Sequence, residues 1–212
     1  MKLTIDSKVL IGLLHIAPKN DVRQHLNGIY CEVKGESVIL VATDGRIMGA
    51  LNCASAASFD EGESCEDTGF IIPRTLLESA KLSQKGVSII ELIHDDLGTK
   101  IRRVTLRDNH GATTVSGDEM DGKFPQWRRV IPKSPSGEIT QFDPELPARL
   151  AAASKAINDI RRGGFVPVYI AHNGDSGALV SIGRDDFVGV LMGLNMRHVA
   201  NLIPTAPPAW TM

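Results

Sequence analysis

Leu3-Thr-Ile-Asp-Ser-Lys-Val-Leu-Ile-Gly-Leu-Leu-His-Ile-Ala17 changes its period within a few residues. Positions 3–6 alternate apolar and polar, as a half-buried strand does, and Ser7 to Ala17 continues with the spacing of an amphipathic helix. The same event recurs three more times: Phe70-Ile-Ile-Pro73 into Arg74 to Lys85, Ile139 to Phe142 into Pro144 to Arg162, and Val188 to Gly193 into Asn195 to Ile203. Strand-length segments fill the intervals. Gly28 to Val33, Val38 to Thr43 and Ile47 to Cys53 follow the first helix, and Val87 to Ile93, Ile101 to Leu106 and Ala112 to Val115 follow the second. Pro167 to Ala171 and Ala178 to Ile182 follow the third. The unit is therefore one strand, one helix and further strands. Helix starts near 7, 74, 144 and 195 are too uneven for a solenoid, which leaves two pairs of units. Lys34-Gly35, Asp44-Gly45, Asn173-Gly174 and Ser176-Gly177 fall between strand-like runs, where tight antiparallel hairpins need them. The pattern predicts a hairpin-rich α+β fold. Lys123 to Gly137, with Pro125, Pro132 and Pro135, reads as a connector, and Ser55 to Thr68 reads as an exposed acidic loop.

The chain has 212 residues, 42% of them hydrophobic, and a net charge of −2, enough for a real core in one large domain or two small ones. A charge so near zero gives no global reason to expect a nucleic-acid partner. Cys31, Cys53 and Cys65 lack metal-site spacing and suit idle thiols in a reducing compartment. Val9 to Leu14 is interrupted by Gly12 and precedes no cleavage site, so neither a signal peptide nor a membrane span is expected, and the cytoplasm is the expected location. The histidines show no paired spacing, and phosphate-loop, dinucleotide and nucleophile-elbow motifs are absent from the sequence. His94-Asp95-Asp96 and Arg184-Asp185-Asp186 read as polar turns. The expectation is a protein without catalytic residues, metal or cofactor.

Charge is segregated along the chain. Segments 7–20, 74–86 and 145–163 each carry a net +2, which leaves −8 for the remainder. On helical spacing, Arg74, Glu78, Lys81 and Lys85 form a stripe opposite Leu76, Leu77 and Ala80. Leu146, Leu150, Ala153, Ile157 and Ile160 share a face of the third helix, with Lys155 and Arg162 opposite, and Lys8 and His15 hold the corresponding stripe of the first. Either these are ordinary solvated helix faces or they form a phosphate-facing surface indifferent to base sequence.

Three segments are more specific: Asp21-Val-Arg-Gln-His-Leu-Asn-Gly28, Val41-Ala-Thr-Asp-Gly45 and Asp121-Gly-Lys-Phe-Pro-Gln-Trp-Arg-Arg-Val-Ile-Pro132. In this order they resemble the bacterial DNA sliding clamp, the beta subunit of the replicative DNA polymerase III, from its middle domain into its last. The resemblance implies a DNA-clamp fold, α+β with antiparallel sheets and helices on one face, with a unit at 1–130 and a shortened unit at 131–212, beginning where the family's middle domain begins and stopping before the last domain's closing strands. It also implies a processivity role on double-stranded DNA and a homo-oligomer. The implied DNA-facing cations are Lys8, Lys19, Arg23, Arg74, Lys81, Lys85, Arg149, Lys155, Arg161 and Arg162. A groove for polymerase-type peptide motifs is implied at Leu26, Thr43, Gly45, Arg46, Met48, Pro125, Arg129, Val130, Asn195 and His198. Arg46 and Ile47 stand where the family usually has His and Arg, so the groove rim is altered. The alternative is a clamp homologue that forms no ring, of phage or mobile-element type, acting as a peptide-binding adaptor or decoy.

Overall fold

A computed structural model of the chain describes residues 1–54, 56–58, 68–83, 86–93, 102–108 and 114–195. Strand β1 (Lys2–Asp6) passes into helix α1 (Ser7–Ile16) at Asp6, whose extended backbone ends the strand while its carboxylate accepts the Lys8 N–H at 3.1 Å. This N-cap turns the change of sequence period into a change of structure. β2 (Gly28–Lys34), β3 (Ser37–Thr43), β4 (Ile47–Cys53) and the two-residue β5 (Ala57–Ser58) follow. The second unit repeats the order with β6 (Thr68–Pro73), α2 (Arg74–Ser79), β7 (Val87–Ile93), β8 (Arg103–Asp108) and β9 (Thr114–Asp118). The third contains α3 (Glu145–Ile157), β10 (Tyr169–Ala171), β11 (Gly177–Ser181) and β12 (Phe187–Met192).

The first two units exchange their opening strands. β1 pairs antiparallel with β7, and β6 pairs antiparallel with β2, so each unit's first strand completes the other unit's sheet. One sheet runs β5-β1-β7-β8-β9. The other runs β10-β11-β12-β4-β3-β2-β6, joined across the middle by β12 on β4, with Val190 opposite Met48.

Alternation along β3 and β4 sends side chains to both faces of this seven-stranded sheet. Val38, Leu40, Ala42, Ile47 and Leu51 meet Leu10, Leu13 and Ile16 of α1 and Leu146, Leu150 and Ile157 of α3 in the main core. Val41, Met48, Ala50 and Val190 join Leu26, Ile71, Phe124 and Trp127 in a smaller core on the other face. The helices approach closely at Gly12, where a Cβ would lie 2.3 Å from Ile157 Cγ1 and 3.1 Å from the Ala153 carbonyl oxygen.

Three expectations require correction. Helix α2 stops at Ser79, not near 85, with Lys81 in a left-handed conformation (φ 46°), so Arg74, Glu78 and Lys81 are not one continuous helical stripe. Helix α3 stops at Ile157, not Arg162. Asp159 (φ 50°) takes the left-handed position, its N–H bonds Ala156 O, and the Ile160 N–H bonds Lys155 O, the paired closure that ends a helix. Arg161 and Arg162 therefore lie beyond the helix. Residues 139–142 form no strand: the Leu194 N–H bonds Gln141 O at 2.8 Å, short of a ladder. The expected helix after Asn195, the loop 59–67 and His94-Asp95-Asp96 lie outside the described residues.

Candidate functional site

The turn between β3 and β4 is locked by its own side chains. The Asp44 carboxylate accepts the N–H groups of Arg46 (2.8 Å) and Ile47 (2.9 Å), and the Thr43 hydroxyl accepts from Gly45 N–H while donating to Ile47 O. Gly45 sits at φ +89°, where a side chain would be strained. Facing this turn is the connector that follows β9. Phe124 stacks on Tyr30 with centroids 4.6 Å apart, and Trp127 Nε1 donates to Glu32 at 3.1 Å. The Arg128 guanidinium lies over the Trp127 ring at 4.1 Å and donates to the same carboxylate at 2.7 Å. Burial would raise the Glu32 carboxyl, but hydrogen bonds from Arg128, Lys34 and Trp127 outweigh it and hold the group below its ordinary value. Glu32 thus pins the connector to the sheet as an anion.

Between turn, connector and β12 lies an apolar cavity of about 210 Å³. Leu26, Met48, Trp127 and Val190, all at most 8% exposed, make its floor. Val130 (52% exposed) and Met192 (37%) stand at its rim with Arg23, Arg46, Pro125 and Gln126. The structure brings together Leu26, Thr43, Gly45, Arg46, Met48, Pro125 and Val130 from the expected groove set. Arg129 instead lines a cleft on the far side of the connector. Asn195 is exposed and not among the lining residues, and His198 lies outside the described residues. Gln126, Trp127, Val190 and Met192 were missed by sequence reasoning, although Gln126 and Trp127 stand between two named connector positions.

The cations expected to face DNA divide into two groups. Arg74 Nη1 donates to Leu14 O (2.7 Å) and Ala17 O (2.9 Å), and its Nε to Glu78 (2.7 Å). Arg149 donates to His15 O, Ile16 O and the Asp44 carboxylate. These two arginines neutralise the carbonyl end of α1, and Arg149 also ties α3 to the groove turn. Arg23 grips the Asp21 carboxylate, which its hydrogen bonds lower to about 2, and donates to Asp44 O, so it belongs to the groove rim. Lys8 pairs with Asp6 at 2.9 Å. Lys19, Lys81, Lys155, Arg161 and Arg162 are exposed, and Lys85 lies outside the described residues. Burial, and then the Arg74 charge, lowers the His15 pKa and favours neutral imidazole.

Among the described residues no group of three or more His, Cys, Asp or Glu could hold a metal ion. Burial raises the pKa of the Cys31 thiol, and that of Cys53 to about 12, far from thiolate reactivity at neutral pH. Arg184 and Asp186 pair across the β11–β12 turn. No helix among the described residues is long and apolar enough to cross a membrane.

Exchanged opening strands, antiparallel sheets and a helix layer on one face define a DNA-clamp fold. The Pseudomonas aeruginosa DNA polymerase III subunit beta aligns over 92% of this chain and 66% of its own, at TM-score 0.59 and 20% identity. The beta subunit from Thermotoga maritima aligns over 92% and 65%, at TM-score 0.61 and 13% identity. The family described as DNA polymerase III beta subunit, central domain, matches residues 7–126, and the chain belongs to it. The beta sliding clamp of Escherichia coli K12 is 29% identical over 154 residues, 72% of this chain, and that of Vibrio cholerae serotype O1 is 31% identical over 157 residues, 73% of this chain. The chain spans 38% of the length of each of these two relatives.

Proposed function

We propose that this chain is a sliding-clamp-like DNA replication accessory protein that contacts duplex DNA and docks polymerase-type peptide segments in its apolar groove. The reading is of a nonenzymatic cytoplasmic protein acting as a homo-oligomer, with clamp-like units at 1–130 and 131–212. One observation carries it: residues distant in sequence, on the β3–β4 turn, the connector and β12, converge on one apolar groove with a buried floor and an exposed rim. Such a site suits a short segment with two or three apolar anchors. Family membership and the relatives named as beta sliding clamps support the replication role.

Exposed Lys19, Lys81, Lys155, Arg161 and Arg162 are the candidates for sequence-independent phosphate binding. Because Arg23, Arg74 and Arg149 are engaged internally, an adaptor that docks peptides without retaining DNA is the second reading. Fluorescence anisotropy separates the two, using a labelled peptide with adjacent Leu and Phe anchors and a labelled duplex. The clamp reading expects saturable peptide binding that Val130→Asp weakens at least tenfold, together with salt-sensitive duplex binding abolished on reversing Lys81, Lys155, Arg161 and Arg162 to Glu. Peptide binding without duplex affinity supports the adaptor, and absence of both contradicts either role.

A further inference from the structure

Two ion pairs cross between the β3–β4 turn and the head of α3, with the charges reversed from one to the other. Arg149 of α3 reaches the Asp44 carboxylate, and Arg46 of the turn reaches Asp143 at 3.0 Å. The Arg46 and Asp143 side chains are 56% and 33% exposed, where an ion pair contributes little, whereas those of Arg149 and Asp44 are 19% and 8% exposed. Arg149 commits all three guanidinium nitrogens: Nε donates to His15 O at 3.0 Å, Nη2 to Ile16 O and Nη1 to Asp44 Oδ2. The Asp44 carboxylate is divided in turn. Its Oδ1 accepts the Arg46 and Ile47 N–H groups that shape the turn, and its Oδ2 accepts Arg149. Thr43, Gly45 and Arg46 line the groove, while Asp44 between them lines the cleft on the helix side. One side chain thus joins the end of α1, the head of α3 and the turn that walls the groove.

The turn's own hydrogen bonds fix its internal shape, and Met192 N–H on Arg46 O at 2.8 Å holds one side of it to β12. Arg149 holds the other side from the helix layer. Without the guanidinium, a carboxylate that is 8% exposed loses its cation and that side of the turn is released. We propose that Arg149 is a positioning residue of the groove: acting through Asp44, it sets the spacing between turn and floor that apolar anchors need. Affinity in the groove therefore answers to a contact made on the helix-covered side. The link runs through this one side chain and not through the packed core, so the neighbouring Leu150 has no part in it. The proposal rests on the docking reading above and adds how that site is held in shape.

Anisotropy with the labelled Leu-Phe peptide tests it in Arg149→Gln, Arg149→Lys, Asp44→Asn and the double variant Arg149→Gln with Asp44→Asn, with urea unfolding fixing the folded fraction of each. Arg149→Gln is expected to weaken the peptide about five- to tenfold. Arg149→Lys should recover part of that loss, since an ammonium keeps the charge but lacks the guanidinium's planar set of donors. Asp44→Asn keeps an acceptor for the turn N–H groups and loses the carboxylate that Arg149 grips, so it should weaken the peptide by a similar factor. Adding Arg149→Gln to it should then change affinity by less than about twofold. In peptide-free protein the amide resonances of 45–47 should shift in Arg149→Gln and stay in place in Leu150→Ala. Wild-type affinity in folded Arg149→Gln, or single effects that multiply in the double variant, overturns positioning through Asp44 and leaves the docking reading standing. An equal loss of affinity in folded Leu150→Ala also overturns it, because affinity would then follow stability in general. Absence of peptide binding by the wild type overturns the proposal together with the docking reading.

Discussion

The two faces of the seven-stranded sheet are covered in different ways. On one, α1 and α3 close over Leu40, Ile47 and Leu51, with glycine at the tightest approach and Leu10, Leu13, Leu150 and Ile157 inaccessible to solvent. On the other, a proline-bearing connector is held by Phe124 on Tyr30 and by Glu32 beneath Trp127 and Arg128. The two α-helices cover area continuously, whereas the connector, with only the short 3-10 turn Trp127–Val130, covers it at anchor points and leaves gaps between them. The groove beside Met48 and Val190 is one such gap. One strand therefore serves both purposes: Ile47 and Leu51 of β4 hold the fold together, and Met48 between them offers a surface for docking.

Four variants sharpen this contrast, ordered by the stability each is expected to lose. Leu150→Ala on the helix-covered face should cost about 2–5 kcal/mol in urea unfolding, from reduced burial and the cavity left behind, while the folded fraction keeps its peptide affinity. If peptide affinity falls with it, the two faces are not independent. Gly12→Ala should cost about 1–3 kcal/mol because its Cβ meets Ile157 and the Ala153 carbonyl, which outweighs the helix propensity gained. A stabilised variant would show that the helices can part without penalty.

Glu32→Gln acts on the other face and should cost about 1 kcal/mol, since Arg128 is half exposed and its pair is screened. The sign with pH follows from the lowered folded pKa. Glu32 adds stability above its ordinary value of 4.5, and that contribution disappears as pH falls through the lower folded value. Acid titration of wild type and E32Q should therefore converge below pH 4.5. Arg161→Glu with Arg162→Glu should leave stability within about 0.5 kcal/mol and flatten the salt slope of duplex binding by about 0.9 for each phosphate no longer neutralised.

Strand and helix starts were legible because their signals are local. Asp6 before Ser7 carries both the end of an alternating run and a capping side chain. Helix ends were not legible: Lys81 and Asp159 take left-handed backbone where glycine is the usual marker, and the cations beyond them continue the helical spacing. The alternating run 139–142 has a strand's pattern but lacks a ladder partner, which sequence pattern cannot supply. In the groove, the turn and connector positions came from the resemblance. Val190 and Met192 enter through the β12–β4 register, a long-range pairing with no local signature. Arg74 and Arg149 have the spacing of surface cations, and their bonds to carbonyls of α1 are long-range contacts that helical spacing does not announce.

Residue-resolved amide NMR during titration with the Leu-Phe peptide tests the central claim most directly. Shift changes are expected at 43–48, 126–130 and 190–192, with 8–13 and 150–157 unmoved. Changes concentrated on α1 and α3, or an unperturbed spectrum at saturating peptide, would contradict the assignment of docking to the connector-covered face.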